Sequence, residues 1–274
     1  MVFRVLVWCV VAFACGFQCA AGQDFRVVSV IYDVHDIAAD RKPSVIATSL
    51  SLFHRNKVYD YIDSAHEVIV FEPGRNQFTV LTPSRSLAAV VDFDEVKHLL
   101  KVAKSETKTY LDQLKSSGDP SWRDAEELLS FHLDPDFTEH FDVDQNRLEL
   151  VSPLLRYTVD CVEPPTTEIM NAYLTYADWI VRLNFVLSPH SLPPNCRLML
   201  NESLRQQQKF PVRVELETRG SDSVLHRRAE HRIGRQLDEL DRSLISRWER
   251  LLKSETTRRT TLRVYQRAII ASAR

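Results

Sequence analysis

Glycine is scarce in this sequence. The 274-residue chain contains 6 glycines, whereas ordinary usage of about 7% would give about 19. Gly16 and Gly22 lie in the apolar N-terminal segment, and the other four are at least 14 residues apart. Phosphate-binding loops and the GxSxG nucleophile elbow need closely spaced glycines, so the sequence excludes these motifs. We therefore expect no nucleotide partner and no cofactor.

The N-terminal segment predicts a secretory signal peptide over residues 1–22. Arg4 gives a positive charge, residues 5–17 form an apolar run, and residues 20–22 are small, which is the pattern of a cleavable signal. An uncleaved membrane anchor is the alternative, but a spanning helix needs about 20 apolar residues and Gln18 interrupts this run. We expect cleavage before Gln23 and a secreted or periplasmic location.

Cysteine is also scarce after residue 22. Of the 5 cysteines, only Cys161 and Cys196 lie beyond the predicted signal peptide. In an oxidising compartment such a pair favours one disulfide, which would stabilise the fold by roughly 3 to 4 kcal/mol. Two buried free thiols are the alternative. Neither residue has the local signature of a catalytic cysteine.

The first third of the mature chain has the pattern of β-strands. Short runs rich in Val, Ile, Tyr and Phe predict strands over 27–33, 45–54, 57–62, 67–72 and 77–82, with a sixth over 85–91. The separators are short and turn-like, as at Arg55-Asn56. Because connections of two to four residues join antiparallel neighbours, these strands predict a meander.

Helical periodicity follows the meander. Apolar spacing predicts helices from the N-cap Asp92 to Gly118, over 121–133, over 166–187 and over 198–208. Further strands are expected over 147–162, interrupted at Pro153, and over 212–218. No repeat or linker divides residues 23–220. We expect an α+β fold there, with a curved antiparallel sheet and long helices packed on one face.

The C-terminal segment 221–274 differs in charge. It has 13 basic and 7 acidic residues, whereas residues 23–220 have 21 basic and 30 acidic. Leucine spacing predicts an amphipathic helix over 222–254, whose apolar face would carry Ile233, Leu237, Leu240, Leu244 and Leu251. This helix could cover the sheet, or it could dock on a partner such as an envelope protein. Anionic lipid is a further alternative, while secretion argues against nucleic acid.

One polar cluster offers candidate metal ligands. The side chains are carboxylates and imidazoles close in sequence: His132, Asp134, Asp136, His140, Asp142 and Asp144. Asp142, Asp144 and Asn146 match the first three ligand positions of a calcium loop, but Arg147 stands where that loop needs Gly and Pro153 where it needs Glu. The alternative is a solvated acidic loop in which aspartates form turns and caps.

Part of the meander carries a family resemblance. It reads LFHRNKVYDY over 52–61, VIVFE over 68–72 and FTVL over 78–81. This pattern resembles uncharacterised secreted bacterial proteins and, more distantly, the outer-membrane lipoprotein carriers. The resemblance to the carriers implies a curved, unclosed sheet that holds acyl chains. It assigns no lipid-contacting position to a numbered residue, and Arg55-Asn56-Lys57 stands where the carriers have a glycine hairpin.

These observations lead to one functional prediction and two alternatives. We expect a non-catalytic secreted or periplasmic protein that binds a lipid, another apolar ligand or an envelope partner. The first alternative is a metal-dependent or hydrolytic enzyme that uses the cluster from His132 to Asp144, and it requires those side chains to converge. The second is a structural component of the envelope. An apolar concavity on the sheet would favour binding, whereas a sheet filled by its own helices would not favour a carrier.

Overall fold

The computed structural model describes residues 24–35, 43–118, 122–188, 191–218 and 225–272. The predicted signal peptide and its cleavage site lie outside these ranges. The predicted cap Ser121 of the second helix also lies outside them.

Six antiparallel strands open the fold, as predicted. They are β1 (Phe25–Asp33), β2 (Ser44–His54), β3 (Lys57–Ile62), β4 (Glu67–Glu72), β5 (Gln77–Thr82) and β6 (Leu87–Asp92). The β2–β3 hairpin turns on Arg55 and Asn56, which both have positive φ. Non-glycine residues in this left-handed region are strained, asparagine least. This hairpin therefore uses non-glycine residues in a strained, left-handed conformation where a glycine would be unstrained.

The middle of the chain alternates helices and strands. It contains α1 (Phe93–Ser117), α2 (Trp122–Leu133), β7 (Thr138–Asp142), β8 (Arg147–Val151), β9 (Leu155–Val162), α3 (Thr167–Leu187), α4 (Asn195–Gln206) and β10 (Phe210–Thr218). Asp92 is the N-cap of α1, as predicted, although its side chain makes no capping hydrogen bond. Thr166 caps α3 by accepting from the Ile169 amide.

The C-terminal segment corrects one prediction. It forms β11 (His226–Gly234), α5 (Glu239–Lys253), β12 (Arg258–Thr260) and α6 (Leu262–Ser272). The helix predicted over 222–254 is therefore wrong in its first half, and Ile233 lies on a strand. Ala229, His231 and Ile233 lie at every second position of β11, which pairs with β1 and β10. A two-residue period is typical of a strand. Gly234 ends β11 where an added Cβ would lie 2.7 Å from Arg26 Cγ.

The twelve strands of the described residues form one open sheet. Its order is β12-β6-β5-β4-β3-β2-β1-β11-β10-β9-β8-β7, and every pair is antiparallel except β12 with β6. The strands β1–β6 and β7–β10 form two consecutive meanders, and β11 joins them. The α+β class with a large antiparallel sheet is thus confirmed, and the C-terminal segment is an integral part of the sheet.

The two faces of the sheet differ. On the inner face, side chains such as Phe25, Val27 and Phe53 form the main core with α1, α3, α4 and α6. On the outer face, α5 packs on the β2–β6 half through Ile245 and Trp248, and Leu237 packs there just before the helix begins. The outer face of β8–β11 carries cross-strand ion pairs instead, including one between Arg213 and Glu230.

The predicted apolar face of the tail helix packs mainly inside the protein. Leu237 is buried in the outer core, and Leu244 and Leu251 pack against it. Leu240 is 68% exposed. Asp238 and Asp241 form a capping box at the start of α5, and Arg26 of β1 binds both carboxylates. These contacts agree with a helix laid over the sheet.

Candidate ligand pocket between the sheet and α3

A pocket forms where the inner face of the sheet changes from large to small side chains. Along β1 the inward residues run from Phe25 and Val27 to Ser29, and along β2 they run from Phe53 to Ser51 and Ser49. These small side chains and α3 line the same space. The resulting cavity has a volume of about 380 Å³.

The walls of this pocket are mixed in character. Apolar contacts come from Ile31 and Ile62 on the strands and from Ala177, Ile180 and Val181 on α3. Polar side chains gather around the remaining wall, namely Ser29, Ser49, Ser51, Asp60, Tyr173, Tyr176, Asn184, Arg197 and His231. A pocket that is mainly apolar and has a few convergent polar groups is typical of small-molecule sites.

Ser29 and His231 form the first polar pair. They are direct neighbours on β1 and β11, and Ser29 Oγ lies 2.8 Å from His231 Nδ1. The opposite ring atom, Nε2, is shielded from solvent and has no hydrogen-bond partner among the described residues. Burial, assisted by the charge of Arg197, lowers the pKa of His231 to about 3. The imidazole is therefore neutral at ordinary pH, with one ring nitrogen unused.

Asp60 is a second buried polar group. It lies on β3 opposite Ser51 of β2, and the Ser51 hydroxyl donates to Asp60 Oδ1 at 2.7 Å. Burial raises the pKa of Asp60, although the hydrogen bond from Ser51 opposes the shift. Burial and the adjacent carboxylate also hold the pKa of the Tyr176 phenol well above its usual range. The carboxyl group therefore accepts a proton more readily than an exposed aspartate does.

Arg197 brings a cation to the pocket from α4. Its Nε donates to Asn201 Oδ1 at 3.1 Å, and Asn201 in turn donates to Asp178 at 2.8 Å. No ion pair to Arg197 occurs within the described ranges. By contrast Arg205, two turns further along α4, pairs with Asp178. The guanidinium of Arg197 is thus held in place by a neutral amide, without a carboxylate partner from the described chain.

This arrangement is better suited to binding than to nucleophilic catalysis. In a Ser-His-Asp triad the imidazole contacts the serine through Nε2 and a carboxylate through Nδ1. Here Ser29 occupies Nδ1, and no described carboxylate orients Nε2. What the geometry offers is a set of hydrogen-bonding groups and one cation beside an apolar wall.

The predicted metal ligands do not converge. No group of three or more His, Cys, Asp or Glu side chains in the described ranges could hold a metal ion. His132 is buried in α2, whereas His140 is exposed on β7, and Asp134 and Asp136 lie in the connection between these elements. Asp142 accepts from the Gln145 amide in the β7–β8 turn, and Asp144 is exposed in the same turn. The cluster therefore has the character of the alternative, a solvated acidic loop.

The two cysteines are not joined. Cys161 on β9 and Cys196 on α4 are both free and buried, so the structure has the alternative of two free thiols in place of the predicted disulfide. Cys196 Sγ lies 3.6 Å from His132 Nδ1. Burial raises the pKa of both thiols to about 12 and lowers the pKa of His132. The pair is thus a neutral thiol beside a neutral imidazole, not an activated nucleophile.

Part of the pocket has a signal in the sequence, although the pocket was not predicted from it. Ser29, Ser49, Ser51 and Asp60 are polar residues at inward positions of strands that are otherwise apolar on that face. Such interruptions of a two-residue alternation indicate a site or a buried network. His231 and Arg197 lie on distant elements, and only the folded sheet brings them to the same pocket.

Comparisons with known proteins add no family. A search against family models finds no match, and a search of curated proteins finds no relative. Within the described ranges, none of the helices combines the length and the apolar character needed to cross a membrane.

Proposed function

We propose that this protein is a non-catalytic binding protein for a small amphipathic ligand, which occupies the pocket between the sheet and α3. The observation that carries the proposal is the unused Nε2 of His231, buried among polar side chains at one side of an apolar cavity. A buried polar atom without a partner costs about 1 to 3 kcal/mol. A ligand that supplies the missing hydrogen bond removes this cost, and its apolar part gains from the walls of Ile31, Ile62 and Ile180.

The size of the pocket limits the ligand. A volume of about 380 Å³ equals the share of about a dozen water molecules in the liquid. A ligand with a single alkyl chain and about a dozen non-hydrogen atoms fits this space, whereas a phospholipid with two acyl chains is far too large. A second pocket of about 590 Å³ lies on the same face beside Phe53, Phe71 and Ile169, but it lacks His231 and Arg197. We therefore favour one short-chain amphipath over the acylated cargo that the carrier resemblance implied.

The proposed setting is the periplasm or the exterior of the cell. The support is the N-terminal pattern of a charged residue, an apolar run and small residues over 1–22. A docking role for the tail helix has less support, since Leu237, Leu244 and Leu251 are used within the protein.

A filled-pocket variant tests the proposal. Ser49 lies between Ser29 and Ile62 on the inner face, so Ser49→Leu places a larger side chain in the cavity. Ser246→Leu makes the same change on the exposed side of α5 and is the matched control. Calorimetric titration would use three short amphipaths with the same alkyl chain: decanoate, decanol and decylamine.

We expect at least one amphipath to bind the wild type and the Ser246→Leu control equally. Its affinity for Ser49→Leu should fall about tenfold or more, because an overpacked site costs about 1 to 3 kcal/mol. Native mass spectrometry of protein from its source should also show a co-purifying small molecule. The proposal fails if none of the three amphipaths binds the wild type, or if Ser49→Leu binds as well as the control.

A further inference from the structure

We infer that the head group of the ligand is a carboxylate and that Arg197 pairs with it at the polar side of the pocket. This inference rests on the proposed function and names the chemical class of its ligand. Arginine favours carboxylates because its planar guanidinium can donate two parallel hydrogen bonds to them.

The first argument is the state of Arg197 in the fold. A partly buried guanidinium normally has an anionic partner, since leaving its charge unpaired is costly. Arg197 lines the pocket and has no ion pair within the described ranges. Its Nε is fixed by Asn201 and the neutral phenol of Tyr173 lies beside the group, so an anionic acceptor from the described residues is still lacking. A carboxylate from outside the chain supplies that acceptor.

The second argument is the charge of the other groups that face this space. His231 is neutral at ordinary pH because burial lowers its pKa to about 3. The phenols of Tyr173 and Tyr176 are neutral because burial raises their pKa values. Burial favours the protonated form of Asp60 as well. Arg197 is therefore the permanent charge among the described residues of the pocket, and it is positive.

His231 provides a second contact for the same head group. Ser29 can donate to Nδ1 of the neutral ring, which then carries its proton on Nε2. In that tautomer the unused Nε2 is a donor, and a carboxylate is an acceptor with room for two donors. Guanidinium and imidazole would thus share one ligand group.

Asp60 supports the competing possibility, a ligand with an ammonium head. It is a buried carboxyl group on the same pocket, and no cation pairs with it within the described ranges. However, it already accepts from Ser51 at 2.7 Å, and burial disfavours its charged form. The experiment must therefore separate a carboxylate bound by Arg197 from an ammonium bound by Asp60.

Calorimetric titration of decanoate, decanol and decylamine near pH 8 makes this separation, since the alkyl chain is constant. We expect decanoate to bind the wild type at least tenfold more tightly than decanol, because hydrogen bonds to a charged group are stronger than those between neutral groups. Arg197→Gln should remove this preference while decanol still binds. Arg213→Gln removes an equal charge from the outer face of β10 and should leave the preference unchanged.

Two further variants keep the test decisive if Arg197→Gln does not fold. Arg197→Lys keeps the charge and should retain part of the decanoate preference, whereas Asp60→Asn should leave it intact or increase it. The inference is overturned if decanol or decylamine binds the wild type as well as decanoate does. It is also overturned if a folded Arg197→Gln keeps the preference. In these outcomes an amphipath still binds, so the proposed function survives; if no amphipath binds, the proposed function itself fails.

Discussion

Trp248→Ala should destabilise the protein strongly, because Trp248 fixes α5 to the outer face of the sheet. The side chain is 4% exposed, and its ring stacks near Tyr59 and Tyr61 at centroid distances of 6.4 and 6.1 Å. Truncating a buried Trp to Ala costs about 3 to 5 kcal/mol. Trp248 also lines an existing pocket of about 550 Å³ beside Leu244 and Leu251. Since the truncation enlarges that space instead of leaving a closed cavity, we expect the lower end, about 3 kcal/mol.

The assay is thermal unfolding followed by calorimetry, together with urea unfolding. For a chain of this size about 1 kcal/mol moves the Tm by about 2 to 4 °C, so the Tm should fall by about 6 to 12 °C. Leu240→Ala is the matched control on the same helix, because Leu240 is 68% exposed and surface changes stay within about 0.5 kcal/mol. If Trp248→Ala lowered the Tm no more than Leu240→Ala, α5 would not be packed on the sheet. The interpretation of this helix as a partner-docking element would then regain support.

Three further predictions follow from buried or strained groups. Asp60→Asn should raise the free energy of unfolding at pH 7 but not at pH 3. The folded-state pKa of Asp60 is raised above its usual 3.8, so the wild type loses stability as the pH rises past that value. Urea unfolding at both pH values measures the effect, and an equal gain in the free energy of unfolding at pH 3 and pH 7 would contradict this reasoning. Cys196 should resist iodoacetamide at pH 8 until urea is added, because burial raises its pKa to about 12; rapid labelling of the native protein would indicate activation by His132. Gln208→Gly should raise the Tm by removing about 1 kcal/mol of strain, since Gln208 has φ 56° in the turn that ends α4; a lower Tm would show that its side chain matters more than the strain.

The first meander could be predicted from sequence because its determinants are local. Each strand of β1–β6 carries its own apolar pattern, and the connections from β2 to β6 are too short for anything but antiparallel pairing. The strand β11 could not be predicted in the same way. Its partner β1 lies about two hundred residues away, and Ile233 happens to continue the leucine spacing of α5 backwards. Gly234 is the residue that ends β11 before α5. A glycine is needed there because Arg26 of β1 approaches closely, and a local sequence pattern cannot show such a contact.

Part of this pocket, namely the space, could be predicted from the sequence, but not the charged group that lines it. Ser49 and Ser51 on β2 are small where an inward residue should be large, so the sheet must either collapse onto its helix or leave space. Collapse is prevented on one side by Phe53, which packs edge-on against Tyr176 of α3 at 5.8 Å, and by Tyr173, which packs against Phe210 of β10 at 4.6 Å. These aromatic contacts hold α3 away from the small residues. The cavity is therefore a consequence of side-chain size along β1 and β2, whereas its charge comes from α4 and β11 and depends on the register of the assembled sheet.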